Sequence, residues 1–290
     1  MGKGIGPAAA LCALLGAAAL VAGCGGSSNP KPTALNVSIG EQGKTASFQA
    51  PKTSKGGLVE VTLANHGKAP HGVQFIRYTS GHAAADVQKQ LGSNTNKIPD
   101  WLKAEGGIGS VAPGATQTAT LNLPAGNYVL VDAAALGGGG PSSGPPATAD
   151  MTVSSGETGD LPDTPGKVVA DQTGKDQFAW DVSGLKAGEN DITFESKGED
   201  SLHLLIAVPV KGTAPPLSQI KSDIAKNGPP PPYLDVKNIV SSAVLDGGLS
   251  QTTKLDLQKP GQYVFFCPLT DRDGGKPHDQ EGLLAVETVK

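Results

Sequence analysis

Cysteine is nearly absent. The 290 residues contain three, Cys12, Cys24 and Cys267, and the first two fall in an N-terminal stretch that reads as a leader. A disulfide framework within the remaining chain is therefore excluded, and stability has to come from packed cores. Aromatic residues are only 4 % of the sequence, with two methionines and five histidines. Charge of one sign does not dominate: 23 Lys and Arg face 27 Asp and Glu. There is no basic block and no aromatic–basic stripe, which excludes the usual footprint of a nucleic-acid partner. The longest apolar stretch, residues 7–21, is too short to span a bilayer. No nucleophile elbow, helix-borne metal motif or paired carboxylates are present. The glycines at 137–140 run into Ser and Pro rather than a helix, so they read as flexible connection and not as a phosphate loop.

Glycine and proline are abundant, at 40 and 23 residues. Together with Val/Thr runs separated by turn residues they predict an all-β fold of two sandwiches with short helical insertions. Residues 1–23 carry one early base, Lys3, and then the apolar stretch, the pattern of a signal peptide. Val21-Ala22-Gly23-Cys24 reads as a lipobox, which makes Cys24 the expected lipidation site and first mature residue. Two or more acyl chains there would anchor the protein stably to a membrane. Residues 24–34 then form a flexible tether. Without Lys3 the mature chain holds 22 basic and 27 acidic residues, a net charge of −5 (22 − 27). The length suits two domains, expected at 35–154 and 167–290 with a Gly/Asp/Pro-rich linker at 155–166.

The chain repeats itself with a period near 132 residues. Gly57-Leu-Val-Glu-Val-Thr-Leu-Ala-Asn65-His-Gly67 and then His71 align with Gly188-Glu-Asn-Asp-Ile-Thr-Phe-Glu-Ser196-Lys-Gly198 and then His203. Strands are predicted after the histidines at 72–78 and 204–210. Short helices follow, one with Val87 and Leu91 a turn apart, the other capped by Ser218 with Ile220 and Ile224 on one face. Pro229 to Pro232 stop the second helix. Strands at 116–123 and 252–257 lead through Pro/Gly turns to Asn127-Tyr-Val-Leu-Val-Asp132 and Gln262-Tyr-Val-Phe-Phe-Cys267. Alternation places Tyr263, Phe265 and Cys267 on one face and Val264 and Phe266 on the other. Bulk on both faces predicts a central strand.

One thiol and two imidazoles form a set suited to copper, with room for a weak fourth ligand. The candidates are Cys267 at a strand end, His203 where a loop becomes a strand, and His278 in the loop before the last strand, 283–289. Other readings of the same residues stay open. A free cysteine is often a small buried hydrophobe, a lone histidine is often structural, and a Cys/His set can also hold zinc. In the first repeat Asp132 stands where the second has Cys267, so no copper is expected there, although His71 and Asp132 could take a harder ion. His66 and His82 are expected at the surface, and Trp101 and Trp180 as packing anchors.

These pieces resemble the cupredoxin family, the blue-copper proteins of plastocyanin and azurin type. The likeness is carried by Ser196-x-Gly198 followed by His203, by Gly261-x-Tyr263-x-Phe265-Phe266-Cys267, and by His278-x-x-x-Gly282-Leu283. It implies Greek-key sandwiches in both halves, and one copper in the second held by His203, Cys267 and His278. Leu283 then occupies the axial position, where methionine commonly stands, and offers no donor atom. Ten residues separate Cys267 from His278, more than small blue-copper proteins use. The resemblance implies single-electron transfer at a site near the surface of the second domain, with a redox partner protein. The first domain would be a spacer or docking surface, and the location would be the extracytoplasmic face of the plasma membrane. The alternatives are copper binding or delivery without electron transfer, and a metal-free structural or interaction module. Multicopper oxidases and copper nitrite reductases need His-x-His or His-Cys-His arrangements that this chain lacks, so an enzyme is not expected.

Overall fold

A computed structural model describes Met1 and residues 29–43, 45–93, 97–136, 146–198, 201–226 and 228–290. Residues 2–28, with nearly all of the expected signal peptide, Cys24 and the first part of the expected tether, lie outside the described residues, as does most of the loop at 137–146. The rest of the expected tether is tied down: Asn29 exchanges two bonds with Asp160, and Thr33 and Ala34 open the first strand. Among the described residues no helix is long and apolar enough to cross a membrane.

The first half runs β1 (Thr33–Gln42), β2 (Thr45–Gln49), β3 (Thr53–Lys55), β4 (Gly57–Asn65), β5 (His71–Tyr78), α1 (Ala84–Leu91), β6 (Leu102–Val111), β7 (Thr116–Leu123), β8 (Gly126–Val131), α2 (Ala133–Leu136) and β9 (Thr148–Ser154). The second runs β10 (Gly166–Gly174), β11 (Gln177–Ser183), β12 (Gly188–Ser196), β13 (Leu202–His203), β14 (Ile206–Pro209), α3 (Leu217–Ile224), β15 (Val240–Ser241), β16 (Leu245–Asp246), β17 (Ser250–Leu257), β18 (Gly261–Phe266), α4 (His278–Glu281) and β19 (Leu284–Val289). The fold is all-β, two sandwiches with short helices inserted.

The repeat is visible in the strand pairing. β1 lies antiparallel to β2 and parallel to β4, which pairs with β7. In the same way β10 lies antiparallel to β11 and parallel to β12, which pairs with β17. The facing layers repeat too: β5–β8–β9 in one half and β14–β18–β19 in the other, all antiparallel. Even the tyrosine of the Gly-x-Tyr-Val motif does the same job twice. Tyr128 donates its hydroxyl to Pro124 O at 2.6 Å, and Tyr263 to Lys259 O at 2.9 Å.

The sandwiches stand side by side and share sheets. β17 pairs with β7, making one eight-stranded sheet, and β16 pairs with β6 through Leu245 and Glu105. The seam is polar and closely fitted. Gln74 exchanges two bonds with the Val244 backbone, at 2.7 and 3.0 Å, and Gly107 N–H donates to Gln251. At Gly109 an added Cβ would lie 1.7 Å from Ser241 O, so only glycine lets the two backbones approach. Residues 155–165 hold no helix or strand, yet they are tied down: Leu58 N–H donates to Glu157 O, and Asn122 exchanges two bonds with Gly159.

Alternating strands fill the cores as the apolar pattern requires. One cluster packs the first sandwich around Leu63, Phe75, Leu121 and Tyr128. Another packs the second around Ile192, Phe194, Tyr263 and Phe265. Trp101 and Trp180 pack against core clusters as expected. β18 is central, between β14 and β19. Three local readings need correction. The helix over 217–224 is capped by Pro216, whose extended backbone already starts the turn, so Ser218 sits inside it. The strand over 204–210 is broken: Leu202–His203 and Ile206–Pro209 belong to different sheets, because Leu204 and Leu205 turn their backbones toward Cys267 and Ser242. Cys267 lies just past the end of β18, where alternation no longer binds, and packs with Val264 rather than with Tyr263 and Phe265.

Candidate metal centre

His203, Cys267 and His278 meet at one end of the second sandwich, their donor atoms all within 4.8 Å of one another. His203 ends β13. Cys267 follows β18, and its N–H donates to Leu283 O at 3.1 Å while its carbonyl accepts Asp279 N–H at 2.8 Å. These two bonds close the base of the loop 268–277. His278 is the first residue of α4 rather than part of an open loop, because Pro277 sets the helix start and the His278 N–H reaches back to Leu269 O at 2.8 Å. Gly282 ends that turn at φ 125°, and a Cβ there would lie 1.9 Å from Phe178 O. Glycine is thus required both by the backbone and by the approach of β11.

Hydrogen bonds decide which ring nitrogens face inward. His203 Nε2 lies 3.2 Å from Lys197 O. A carbonyl only accepts, so Nε2 carries the proton and Nδ1 keeps its lone pair. That Nδ1 is buried with no hydrogen-bond partner among the described residues. His278 Nε2 lies 3.2 Å from Asp271 Oδ1, which leaves its Nδ1 free to face Cys267 Sγ at 3.7 Å. Ser201 donates to the same Asp271 oxygen at 3.0 Å. Leu204 N–H donates to Cys267 Sγ at 3.4 Å. An oxygen acceptor on the outer nitrogen of each ring is the arrangement that metal-ligating histidines use. The 3.7 Å separation suits two atoms that share one metal at ligand distances of about 2.0–2.3 Å. A buried lone pair without a partner, beside a thiol and a second lone pair, therefore fits a thiophilic metal ion.

The three donors are fully buried, and burial favours the neutral form of each. All three residues are 0 % exposed. Burial, and then the neighbouring His278, push His203 down to about 3. Burial lowers His278 as well, opposed by Asp271. Burial pushes the Cys267 thiol up to about 12, opposed by the backbone N–H groups of Leu204 and Leu269. Leu283 is fully buried in the same apolar cluster as Cys267 and contributes no donor. Phe178 from edge strand β11 covers both rings, its centroid 5.3 Å from His203 and 4.5 Å from His278. A cavity of about 560 Å³ has Asp271 and Gly282 in its wall.

Sequence reasoning brought the three donors together and missed what surrounds them. Phe178 has no counterpart in the motifs, and the only hint was an aromatic residue in a chain with few. Asp271 looked like turn composition inside the long insertion. Among the described residues, the first repeat brings no Cys/His group together. His71 Nδ1 lies 2.6 Å from Asp132 and Nε2 2.9 Å from Glu41, so both ring nitrogens are already engaged. The bond to His71 holds the Glu41 carboxyl below its ordinary value. The harder ion considered for His71 and Asp132 finds no open donor on the ring. His66 is exposed, and His82 is exposed while stacking on Trp101 at 4.0 Å.

No protein-family model matches the sequence, and no curated protein matches it. Solved structures do align. An auracyanin from Roseiflexus castenholzii is 22 % identical, covering 41 % of this chain and 96 % of its own, with a TM-score of 0.27. Auracyanin A, a blue copper protein from Chloroflexus aurantiacus, is 19 % identical, covering 42 % and 99 %, with a TM-score of 0.28. A multicopper oxidase is 14 % identical, covering 89 % and 88 %, with a TM-score of 0.25.

Proposed function

We propose that this chain is a lipid-anchored copper protein of the cell envelope that passes single electrons through one mononuclear site in its second half. The observation that carries this reading is the convergence of Cys267 Sγ with two fully buried imidazoles, their outer nitrogens already bonded to oxygen acceptors. Copper bound there would alternate between two oxidation states and carry one electron. His203, Cys267 and His278 would hold it, and Leu283 would pack beside it without coordinating. Lys197 O and Asp271 fix the ring orientations, and Leu204 N–H fixes the sulfur, so the set has little freedom to rearrange when charge changes. Phe178 keeps water from the rings while remaining one aromatic side chain deep.

The organisation we propose around the site is a signal peptide over 1–23, a lipid on Cys24, a tether that ends where β1 begins at Thr33, and two domains that follow, the second over 167–290. The anchor places the protein on the extracytoplasmic face of the plasma membrane, where a redox partner protein would dock. A second reading, copper binding and delivery without electron transfer, would use the same three ligands. A reversible redox couple with fast self-exchange supports the first reading, and a reduced, exchangeable copper supports the second.

Titrating Cu(II) into the segment from Asn29 onward is expected to saturate at one equivalent with an intense visible thiolate-to-copper band. Cys267→Ser is expected to lose that band. A colourless protein with no stoichiometric metal would contradict both copper readings and leave a metal-free interaction module.

A further inference from the structure

The long insertion between Cys267 and His278 does not project into solvent at its middle. Arg272 is 7 % exposed and lies in the seam between the two halves. Its Nη1 donates to Pro99 O at 3.1 Å and Leu102 O at 3.0 Å, both in the first half. Its Nη2 pairs with Asp246. Its own carbonyl accepts Ile98 N–H at 2.8 Å. One side chain and its carbonyl therefore engage three residues of the first half.

The partners of Arg272 lead to the ligands by short covalent and ladder steps. Asp271 precedes it in the chain and accepts the His278 ring. Asp246 lies on β16, which pairs with β13 through Leu202–Asp246 and His203–Leu245. Asp246 also accepts Ala104 N–H of β6 at 3.2 Å. Ala104 and Ile98 belong to the apolar cluster that contains Cys267. Both histidine-bearing segments are thus lashed to the start of β6 through one guanidinium, whose planar fork can serve several acceptors at once.

We infer that Arg272 is a positioning residue through which the first half holds the metal-binding loop in ligand geometry. The first half is then a wall of the site rather than a spacer. This rests on the copper reading above, and the test separates the two. Arg272→Met should weaken Cu(II) binding by about 10- to 100-fold, the usual effect of removing an outer-shell support, and should shift the visible band. It should also move the His278 ring ¹⁵N signals of the metal-free protein, which need no copper to be read. Arg272→Met with Asp246→Leu removes both charges and avoids leaving a carboxylate buried alone, so it carries the test if the single variant fails to fold. Arg272→Lys, which keeps the charge but loses the fork, should fall between wild type and Arg272→Met. A folded double variant with wild-type copper affinity, band and His278 signals would overturn the inference even if its melting temperature fell. Wild-type protein that binds no copper would instead overturn the functional reading, and the ¹⁵N signals would still decide the role of Arg272.

Discussion

Lowering the pH of the metal-free protein from about 6.5 to 4.5 should remove about 2 kcal/mol of stability through His203 alone. The ring is held down to about 3 by burial and by His278. Between that value and the ordinary 6.5 the unfolded chain binds a proton that the folded chain refuses, so stability falls as pH falls, by about 1.4 kcal/mol per unit. His278 is lowered by burial too and adds to the loss in the same direction. Against the total of roughly 5–15 kcal/mol that holds a typical protein together, this is a large share. Glu105, Asp246 and Asp279 are pushed up by burial and act in the opposite sense. They are common to wild type and His203→Leu, so subtracting the two denaturation curves isolates the histidine. His203→Leu should bind no copper and should overtake wild type in stability as the pH drops. Parallel curves over this range would mean that His203 is not held neutral.

Phe178→Ala should destabilise the protein by about 3–5 kcal/mol, the range for deleting a buried phenyl ring. The ring is 4 % exposed, packs in the site-side cluster and touches both imidazoles. Its loss should also let a small chelator strip bound metal faster, because the ring that lies over both imidazoles would be gone. Urea denaturation and stopped-flow chelation measure the two effects. A loss below about 1 kcal/mol with unchanged chelation would show that the lid lies elsewhere.

What the sequence made legible was whatever repeats or alternates. Asn65 and Ser196, His71 and His203, Tyr128 and Tyr263 occupy matching places because duplicated strands keep their side-chain period. Cys267, His203 and His278 could be grouped because few residue types offer soft or imidazole donors. What stayed hidden depends on contacts across long sequence distances. Phe178 reaches the site from a strand about 90 residues before Cys267 in the chain, through sheet packing alone. Arg272 reads as solvated turn composition until the seam with Pro99 and Leu102 is known. The break at Leu204 was hidden for a related reason: an apolar run reads as continuous strand, whereas the demand of Sγ and Ser242 for backbone donors interrupts it.

X-ray absorption at the copper edge of the loaded protein tests the central claim most directly. One sulfur and two imidazole nitrogens around a single copper, with the sulfur lost in Cys267→Ser, is the expected result. A shell of nitrogen and oxygen alone, unchanged by that substitution, would contradict it.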